Sequence, residues 1–417
     1  MKDAKDGSEQ ITSGGGAGLD KDQGLAQRDW ILLAGISLLT IFLLTVSVEL
    51  TARRLYTKTP DFAQICVTLG DVASGTRANP NTVCRFKTYE SQLDEYRFNR
   101  CGHRTPLDCE IKQQGAYRIV MAGSSVAMGY EVPEDKTYAW SLPIQLSQLT
   151  GRKVELYNEA MLGDSPRVLA LHFNEVLAAK PDLILWTVVP FDIDTEKPDA
   201  YADLPQPDLK GGRLAKTWSI AKNIFATRPL PDAVDYIWQI ERAKFTGSPI
   251  GALLLHFICT SNTQYVNANI QTGDTVGYLR TAPSDEWQRR SQLFDSDMAK
   301  VEAQARVAGV PVVVAFVPNR LQVVMTSMRD WPVGYDPYQL DNELRSIVER
   351  HGGTYIDILP SLRNVSRPEQ LYFPVDGHPD ANGHAIISAI LAKELTGGAV
   401  HALKAIPQPQ TGLEQKR

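Results

Sequence analysis

The sequence RIVMAGSS, residues 118–125, is the stretch that decides the fold. The residues Tyr117–Ala122 predict a strand, and the Gly-Ser-Ser sequence that follows is typical of a turn. Because this strand is largely apolar on both faces, we expect it to lie in a parallel sheet that helices cover on both sides. The segment therefore indicates an α/β domain with a polar turn at the carboxyl end of its first strand.

Further apolar runs, with helical patterns between them, extend this prediction along the chain. We expect four more strands, at residues 153–157, 183–189, 311–317 and 354–358. Asp164-Ser165-Pro166 is a typical helix start because a capping residue precedes a first-turn proline. Further helices are predicted at residues 284–307 and 337–349. Alternating strands and helices predict a three-layer α/β fold, a parallel sheet with flanking helices.

An apolar stretch without charged residues runs from Trp30 to Val48. About 20 apolar residues are enough to cross a hydrocarbon core of roughly 30 Å. We therefore predict a transmembrane helix over residues 29–50, preceded by a disordered cytoplasmic segment over residues 1–28. A cleaved signal peptide is the alternative, although the apolar part of a signal peptide is usually shorter.

Four of the five cysteines lie shortly after this stretch: Cys66, Cys84, Cys101 and Cys109. Their clustering beyond a membrane anchor suggests two disulfides in an oxidising compartment. Three pairings are possible, and Cys66–Cys84 with Cys101–Cys109 is the most local. The spacing does not fit a zinc site built from C-x-x-C pairs. Because Lys and Arg do not decide the orientation, the cysteines favour a main domain outside the cytoplasm, periplasmic or at the cell surface.

The chain divides into regions by composition. Residues 51–114 form a polar, cysteine-containing lead-in, residues 115–396 form the main α/β domain, and residues 397–417 form a loose tail. A proline-rich stretch at about residues 194–282 breaks the alternation of strands and helices. We interpret it as an insertion after the third strand, either a cap that shapes a substrate site or an ordinary structural elaboration.

The residues that could carry chemistry lie in two distant segments, the turn after the first strand and residues 373–379. A serine hydroxyl becomes a nucleophile when a base accepts its proton and a carboxylate orients that base. The turn supplies Ser125, and the second segment supplies His378 and Asp376. Active sites of parallel sheets lie beyond the carboxyl ends of the strands. We therefore expect the three side chains to meet at one sheet edge.

At these residues the chain resembles the SGNH, or GDSL-type, hydrolases. Residues 123–129 (GSSVAMG) look like the first sequence block of that family, although Ser124 occupies the usual Asp position. Residues 158–165 resemble the second block, and residues 376–384 resemble the last. The three blocks occur in the family's order, each after the appropriate predicted strand.

The resemblance implies a fold and a set of roles. The fold would be the three-layer, SGNH/flavodoxin-like arrangement of a parallel sheet between helices. Ser125 would be the nucleophile, with His378 and Asp376 completing the catalytic triad. The backbone N–H groups of Ser125 and Gly163 would face the oxyanion, since a glycine lets the backbone approach the substrate closely.

Two departures from the family pattern matter. At residues 189–192, Phe191 stands where the family has an Asn that donates to the oxyanion. One such donor contributes roughly 3–4 kcal/mol to transition-state stabilisation, so either another group substitutes or the enzyme is slow on generic esters. The acid and base are spaced Asp-x-His, whereas the family more often has Asp-x-x-His. The neighbouring Asp192 either contacts the substrate or, as we favour, caps the following loop.

Composition and motifs exclude several classes of function. The net charge is −5 and no long basic run occurs, so we expect no nucleic-acid partner. Residues 123–129 lack the Lys-Ser/Thr pair of a P-loop and the close glycines of a dinucleotide-binding turn. The other histidines show no spacing suited to a metal site. We therefore expect neither a cofactor nor a metal ion.

Three functions fit these features. The first is a serine esterase outside the cytoplasm that removes acyl groups, above all acetyl groups, from carbohydrate or lipid. The second is an O-acyltransferase that passes the acyl group to an exopolysaccharide or another cell-envelope glycan, with glycan machinery as its partner. The third is a catalytically weak binding or assembly protein that keeps the fold, which the apolar Phe191 favours.

Overall fold

The computed structural model of the protein describes residues 27–60, 62–68, 75–194 and 248–405. Strands in these ranges are β1 Val67–Thr68, β2 Arg77–Ala78, β3 Val83–Phe86, β4 Asp94–Arg97, β5 Tyr117–Ala122, β6 Val154–Asn158, β7 Leu183–Val188, β8 Val312–Phe316 and β9 Thr354–Asp357. The last five form one sheet in the order β6-β5-β7-β8-β9, and every pair in it is parallel. The first four form two small antiparallel pairs, β1 with β2 and β3 with β4.

The helices alternate with the strands of the large sheet. In chain order, the described α-helices are α1 Gln27–Leu55, α2 Phe62–Ile65, α3 Ser125–Met128, α4 Tyr138–Thr150, α5 Pro166–Ala178, α6 Pro190–Asp194, α7 Pro249–Cys259, α8 Asn262–Ile270, α9 Asp285–Ala308, α10 Arg320–Ser327, α11 Gln339–His351, α12 Leu359–Leu362 and α13 Ala381–Glu394. Short 3-10 turns lie at Glu134–Lys136, Gly273–Leu279, Pro368–Leu371 and His401–Leu403, and a π-turn lies at Leu395–Ala399.

The predicted α/β fold with a parallel sheet is confirmed. All five predicted strands are present, and each of their ends lies within one residue of the prediction. Helix α5 begins at Pro166, and the Ser165 side chain caps it by accepting a hydrogen bond from the Val168 N–H. The predicted helices at residues 284–307 and 337–349 correspond to α9 and α11.

Two apolar layers enclose the sheet, because successive residues of a strand point to opposite faces. On β5, Ile119 and Met121 pack in the layer that contains residues of α4 and α13. Val120 and Ala122 pack in the opposite layer, which contains residues of α5, α9 and α11. All six residues of β5 are buried, as expected for an inner strand of a covered parallel sheet.

The lead-in carries two disulfides that confirm the most local of the three pairings. Cys66 is bonded to Cys84 and Cys101 to Cys109, with Cα–Cα distances of 5.6 Å and 6.4 Å. The first bond ties α2 to β3, beside a cluster of aromatic rings in which Phe62 meets Phe86 at 5.1 Å and Tyr96 at 4.9 Å between centroids. Cys259 is buried and forms no disulfide.

The apolar stretch near the N-terminus lies in α1, whose 29 residues contain the predicted span. Among the described residues this is the single helix that is long and apolar enough to cross a membrane, with a mean hydropathy of 2.5 in its most apolar window. The described residues up to Thr51 form one unit, and those from Ala52 onward form a second, compact unit.

Several expectations fall outside the described residues. They concern the disordered segment at residues 1–28, apart from its last two residues, most of the insertion at about 194–282, and the final part of the tail. The described part of the insertion, residues 248–282, contains α7 and α8 with the 3-10 turn Gly273–Leu279. The boundaries proposed for the regions of the chain stay predictions.

We predict that the Cys66–Cys84 bond stabilises the domain by restricting the unfolded chain. Replacing both cysteines by alanine should lower the free energy of unfolding by about 2–4 kcal/mol, as measured by denaturant titration of the detergent-solubilised chain. Cys259→Ala, which removes a buried thiol but no cross-link, is the control and should have the smaller effect. Equal stability of the double variant and the native chain would contradict the prediction.

Candidate active site

The turn after β5 places Ser125 at the first position of α3. Gly123 precedes it with φ +148°, a backbone conformation that residues with a side chain rarely adopt. A Cβ atom added to Gly123 would lie 2.6 Å from the Thr187 carbonyl oxygen on the neighbouring strand. The turn therefore requires glycine at position 123. It places Ser125 beside the loop that contains His378, and Ser125 is 6% exposed.

Ser125, His378 and Asp376 lie in a line of hydrogen bonds. The His378 Nε2 atom is 2.7 Å from Ser125 Oγ, and the His378 Nδ1 atom hydrogen-bonds with Asp376 Oδ1. The His378 backbone N–H also donates to Asp376 Oδ1, at 3.2 Å. Gly377, with φ +85°, supplies the bend between the acid and the base. The structure thus brings together the three residues that the sequence singled out, in spite of their Asp-x-His spacing.

The environment of Asp376 favours its ionised form. Burial alone would raise the pKa of this carboxyl, but the charge and the hydrogen bonds of His378 outweigh burial and lower the pKa below its usual value. About a third of the side chain, 32%, remains exposed, so water also stabilises the charge. An ionised carboxylate beside Nδ1 holds the imidazole in the tautomer that leaves Nε2 as the acceptor.

The loop that contains Asp376 and His378 is held by its own backbone hydrogen bonds and by Arg320. The Phe373 N–H donates to the His378 carbonyl at 2.9 Å, and the Gly377 N–H donates to the Phe373 carbonyl at 3.0 Å. Arg320 donates to the Pro374 carbonyl at 2.9 Å. Asp380 then begins α13 by accepting a hydrogen bond from the Gly383 N–H at 2.8 Å.

Glu90, in the lead-in, holds this loop from outside. Its carboxylate accepts the Val375 N–H at 3.0 Å and the Asp376 N–H at 2.9 Å. It also lies 3.3 Å from His256 Nδ1 on α7. The side chain of Glu90 is 9% exposed, so water competes little for these bonds. The lead-in therefore fixes the backbone of Asp376, the residue predicted to orient the base.

Arg104 holds the other half of the site. Its buried guanidinium donates to the carbonyl groups of Met128, Gly129 and Val132, the last at 2.8 Å, all in the segment that follows Ser125. The supporting roles of Glu90 and Arg104 were not predicted from the sequence, because each is an isolated charged residue in a polar stretch. The clustered cysteines were the one sign that this stretch is ordered.

The predicted oxyanion residues lie on neighbouring loops. Gly163 follows β6 with φ +79° and is exposed, and the Met161 N–H donates to the Gly123 carbonyl at 3.1 Å, which ties the two loops together. Among the described residues, no partner of the Gly163 N–H is found. The role of the Ser125 and Gly163 N–H groups in binding an oxyanion stays a prediction.

Residues 190–194 form α6, which contains Phe191, the departure near the third strand, and its neighbour Asp192. Phe191 is 60% exposed and has no side-chain donor. Asp192 is 4% exposed and accepts the N–H of Val189, which precedes it in the chain, at 3.0 Å. Burial raises the pKa of Asp192 to about 7. A contact between Asp192 and substrate stays a prediction.

A second histidine of the last block, His384, has a structural place. It is 1% exposed, accepts the Tyr138 N–H at 3.2 Å and stacks on the Tyr138 ring with 5.0 Å between centroids. Burial lowers the pKa of His384 to about 3, so the ring is neutral at ordinary pH and joins α13 to α4.

One group among the described residues has the composition and distances that a metal ion would need. The ligand atoms of Glu131, Asp376 and His378 all lie within 4.8 Å of one another. Two of these residues belong to the hydrogen-bonded line that includes Ser125, which accounts for their closeness. Glu131 thus adds a second carboxyl group next to Asp376 and His378. It was not predicted from the sequence.

We predict that Glu90→Ala lowers kcat more than it raises KM, because the loop would lose two charge-assisted hydrogen bonds that position the acid. The expected loss in kcat is roughly 10- to 100-fold, measured by steady-state hydrolysis of an ester. Glu95→Ala, on β4 with its carboxylate paired to exposed arginines, is the control and should remain near native. An unchanged kcat in Glu90→Ala would show that the position of the acid does not depend on the Glu90 hydrogen bonds.

No protein-family model matches this chain, and no curated protein matches it. Solved structures do: TesA is 10% identical over 67% of this chain and 98% of its own, with a TM-score of 0.37. A lipase/acylhydrolase from Enterococcus faecalis is 12% identical over 70% and 98%, and the acetyl xylan esterase AlAXEase is 12% identical over 67% and 99%, each with a TM-score of 0.35. The chain is similar to these three solved structures, and its chemistry is inferred from its own residues.

Proposed function

We propose that this chain is a serine hydrolase of the SGNH type, which cleaves acyl esters through Ser125, His378 and Asp376. The observation that carries the proposal is the continuous line of hydrogen bonds from Ser125 Oγ to His378 Nε2, at 2.7 Å, and from His378 Nδ1 to Asp376. In this arrangement the hydroxyl is the nucleophile, the imidazole is its base, and the ionised carboxylate orients the imidazole.

The geometry supports a two-step reaction. Ser125 Oγ attacks the ester carbonyl carbon while His378 Nε2 takes its proton, and the same proton then goes to the leaving alcohol. The resulting acyl-enzyme is released when water attacks it, with His378 again as the base. Asp376 keeps its charge throughout and stabilises the imidazolium.

The oxyanion of each tetrahedral intermediate would be bound by the backbone N–H groups of Ser125 and Gly163. Phe191 supplies no third donor, and a missing donor of this kind costs roughly 10²–10³ in kcat. We therefore expect a low kcat on activated model esters. A natural substrate would recover part of the loss through contacts away from the reacting carbonyl.

The environment of the enzyme follows from the first part of the chain. We propose that α1 spans a membrane and that the main domain lies outside the cytoplasm, since two disulfides in the lead-in fit an oxidising compartment. Its substrates would be acylated carbohydrates or lipids, with acetyl esters first, as the resemblance to SGNH hydrolases suggests.

We predict that Ser125→Ala and His378→Ala each reduce the hydrolysis of p-nitrophenyl acetate by about 10³-fold or more, to background. The full-length chain in detergent is assayed spectrophotometrically, and thermal unfolding checks that the variants are folded. Ser124→Ala is the matched control, because it removes the adjacent hydroxyl and leaves the nucleophile. Full activity in either of the first two variants would refute the triad, and a native chain without activity above background would leave the fold as a scaffold for binding or assembly.

Transfer of the acyl group to a sugar hydroxyl is a second candidate reaction. It uses the same acyl-enzyme, and the exposed aromatic ring of Phe191 on α6 offers a surface on which a sugar ring could stack. Phe191→Ala should then weaken transfer more than hydrolysis.

Product analysis separates the two reactions. With an acetyl donor and an added envelope glycan, a hydrolase releases acetate at a rate independent of the glycan, as we predict. A transferase instead forms acetylated glycan at the expense of acetate. Appearance of acetylated glycan as the main product would contradict the hydrolase and support the transferase, and absence of both products would contradict both reactions.

A further inference from the structure

Glu131 occupies an unusual place close to the proposed triad. It follows α3 with φ +67°, a left-handed backbone conformation that costs a residue with a side chain about 1–2 kcal/mol. Its N–H donates to the buried Tyr96 hydroxyl on β4 at 2.7 Å. The residue is only 2% exposed. The fold thus directs an acidic side chain inward, although this conformation favours glycine.

The carboxyl group of Glu131 faces other acidic groups. One of its oxygens lies within 4.8 Å of an Asp376 carboxylate oxygen and of a His378 ring nitrogen, and Glu90 contributes a further negative charge nearby. Within the described ranges, the charged groups that act on Glu131 are Asp376 and Glu90, both acidic. Two carboxylates this close do not both ionise readily, so one of them keeps a proton.

The position of that proton follows from the two environments. Asp376 is partly exposed and is paired with His378, whose charge and hydrogen bonds lower its pKa. Burial, with the negative charge of Asp376 as the next cause, raises the pKa of Glu131 to about 9. The proton therefore resides on Glu131, and a protonated carboxyl has an O–H group that can donate to a carboxylate.

We propose that Glu131 is a fourth, positioning member of the site, which stays protonated and donates its O–H to Asp376. This inference rests on the proposed function. The hydrogen bond would hold the Asp376 carboxylate against His378 in a loop whose acid and base are only two residues apart. Glu131 acts through Asp376 and does not touch the substrate.

The proposal has a consequence at alkaline pH. At neutral pH the O–H donor is present; as the pH rises through about 9, Glu131 loses its proton, and a second negative charge replaces the donor beside Asp376. The other groups that face Glu131 are His378 and Asp376 in the loop, Thr88 and Glu90 after β3, and Tyr96 on β4 with Arg104 against its ring. We therefore expect kcat to fall above pH 9.

Two variants separate the donor from the charge. Glu131→Gln keeps an N–H donor of similar shape and cannot ionise, so we expect it to stay within about threefold of native kcat at pH 7.5 and to lose the alkaline decline. Glu131→Leu removes the donor, and its kcat should fall roughly 10- to 100-fold with KM little changed. Asp341→Asn is the control, because Asp341 is another acid whose pKa burial raises, to about 8, and its partners are Tyr355 and Asp357.

Activity profiles of the full-length chain from pH 6 to 10.5 decide between the outcomes. The proposal is overturned if Glu131→Gln keeps the native alkaline decline, if it is as impaired as Glu131→Leu at pH 7.5, or if Glu131→Leu has native kcat. Should Glu131→Leu fail to fold, the profile of Glu131→Gln still decides. Asp341→Asn should show the native profile.

An infrared measurement tests the proton without using activity. At pH 7.5 the native chain should have a protonated-carboxyl band that Glu131→Gln removes and that Asp376→Asn shifts. If Glu131→Gln leaves all such bands unchanged, the inference fails and the proposed function is unaffected. If Ser125→Ala keeps activity, the proposed function fails, and the infrared result still reports the protonation of Glu131.

Discussion

The hydrogen bond between Ser125 Oγ and His378 Nε2 is the constraint on which the account of this protein depends. It joins side chains 253 residues apart at a distance of 2.7 Å. Neither partner can be moved far, because Ser125 is set by a glycine turn at the end of an inner strand, and His378 lies in a loop closed by its own backbone hydrogen bonds. The parallel sheet makes the meeting feasible, since the carboxyl ends of its strands share one edge.

Residues of the lead-in hold the backbone on both sides of the Ser125–His378 hydrogen bond. Arg104 holds the backbone that follows Ser125, and Glu90 holds the backbone of Asp376. Both are anchored in a region that has little sheet of its own and two disulfides. Loss of those cross-links would therefore affect the geometry of the site as well as the stability of the fold. The candidate active site thus depends on residues that lie before the first strand of the α/β core.

The sequence was sufficient for the parts of the molecule that local patterns control. Apolar runs gave the five strands, because a strand buried on both faces has a distinctive composition, and Ser165-Pro166 gave the start of α5. Glu90, Arg104 and Glu131 could not be found in this way. Each acts on a residue distant in the chain, and an isolated charged residue gives no sign of whether its side chain meets solvent or a buried backbone group.

Covalent trapping of the nucleophile tests the central claim most directly. The full-length chain is treated with a fluorophosphonate, and the site of modification is identified by mass spectrometry. The account predicts one adduct, on Ser125, that forms much more slowly in His378→Ala, because the hydroxyl would lack its base. An adduct on another residue, or modification of Ser125 at the native rate without His378, would contradict the account.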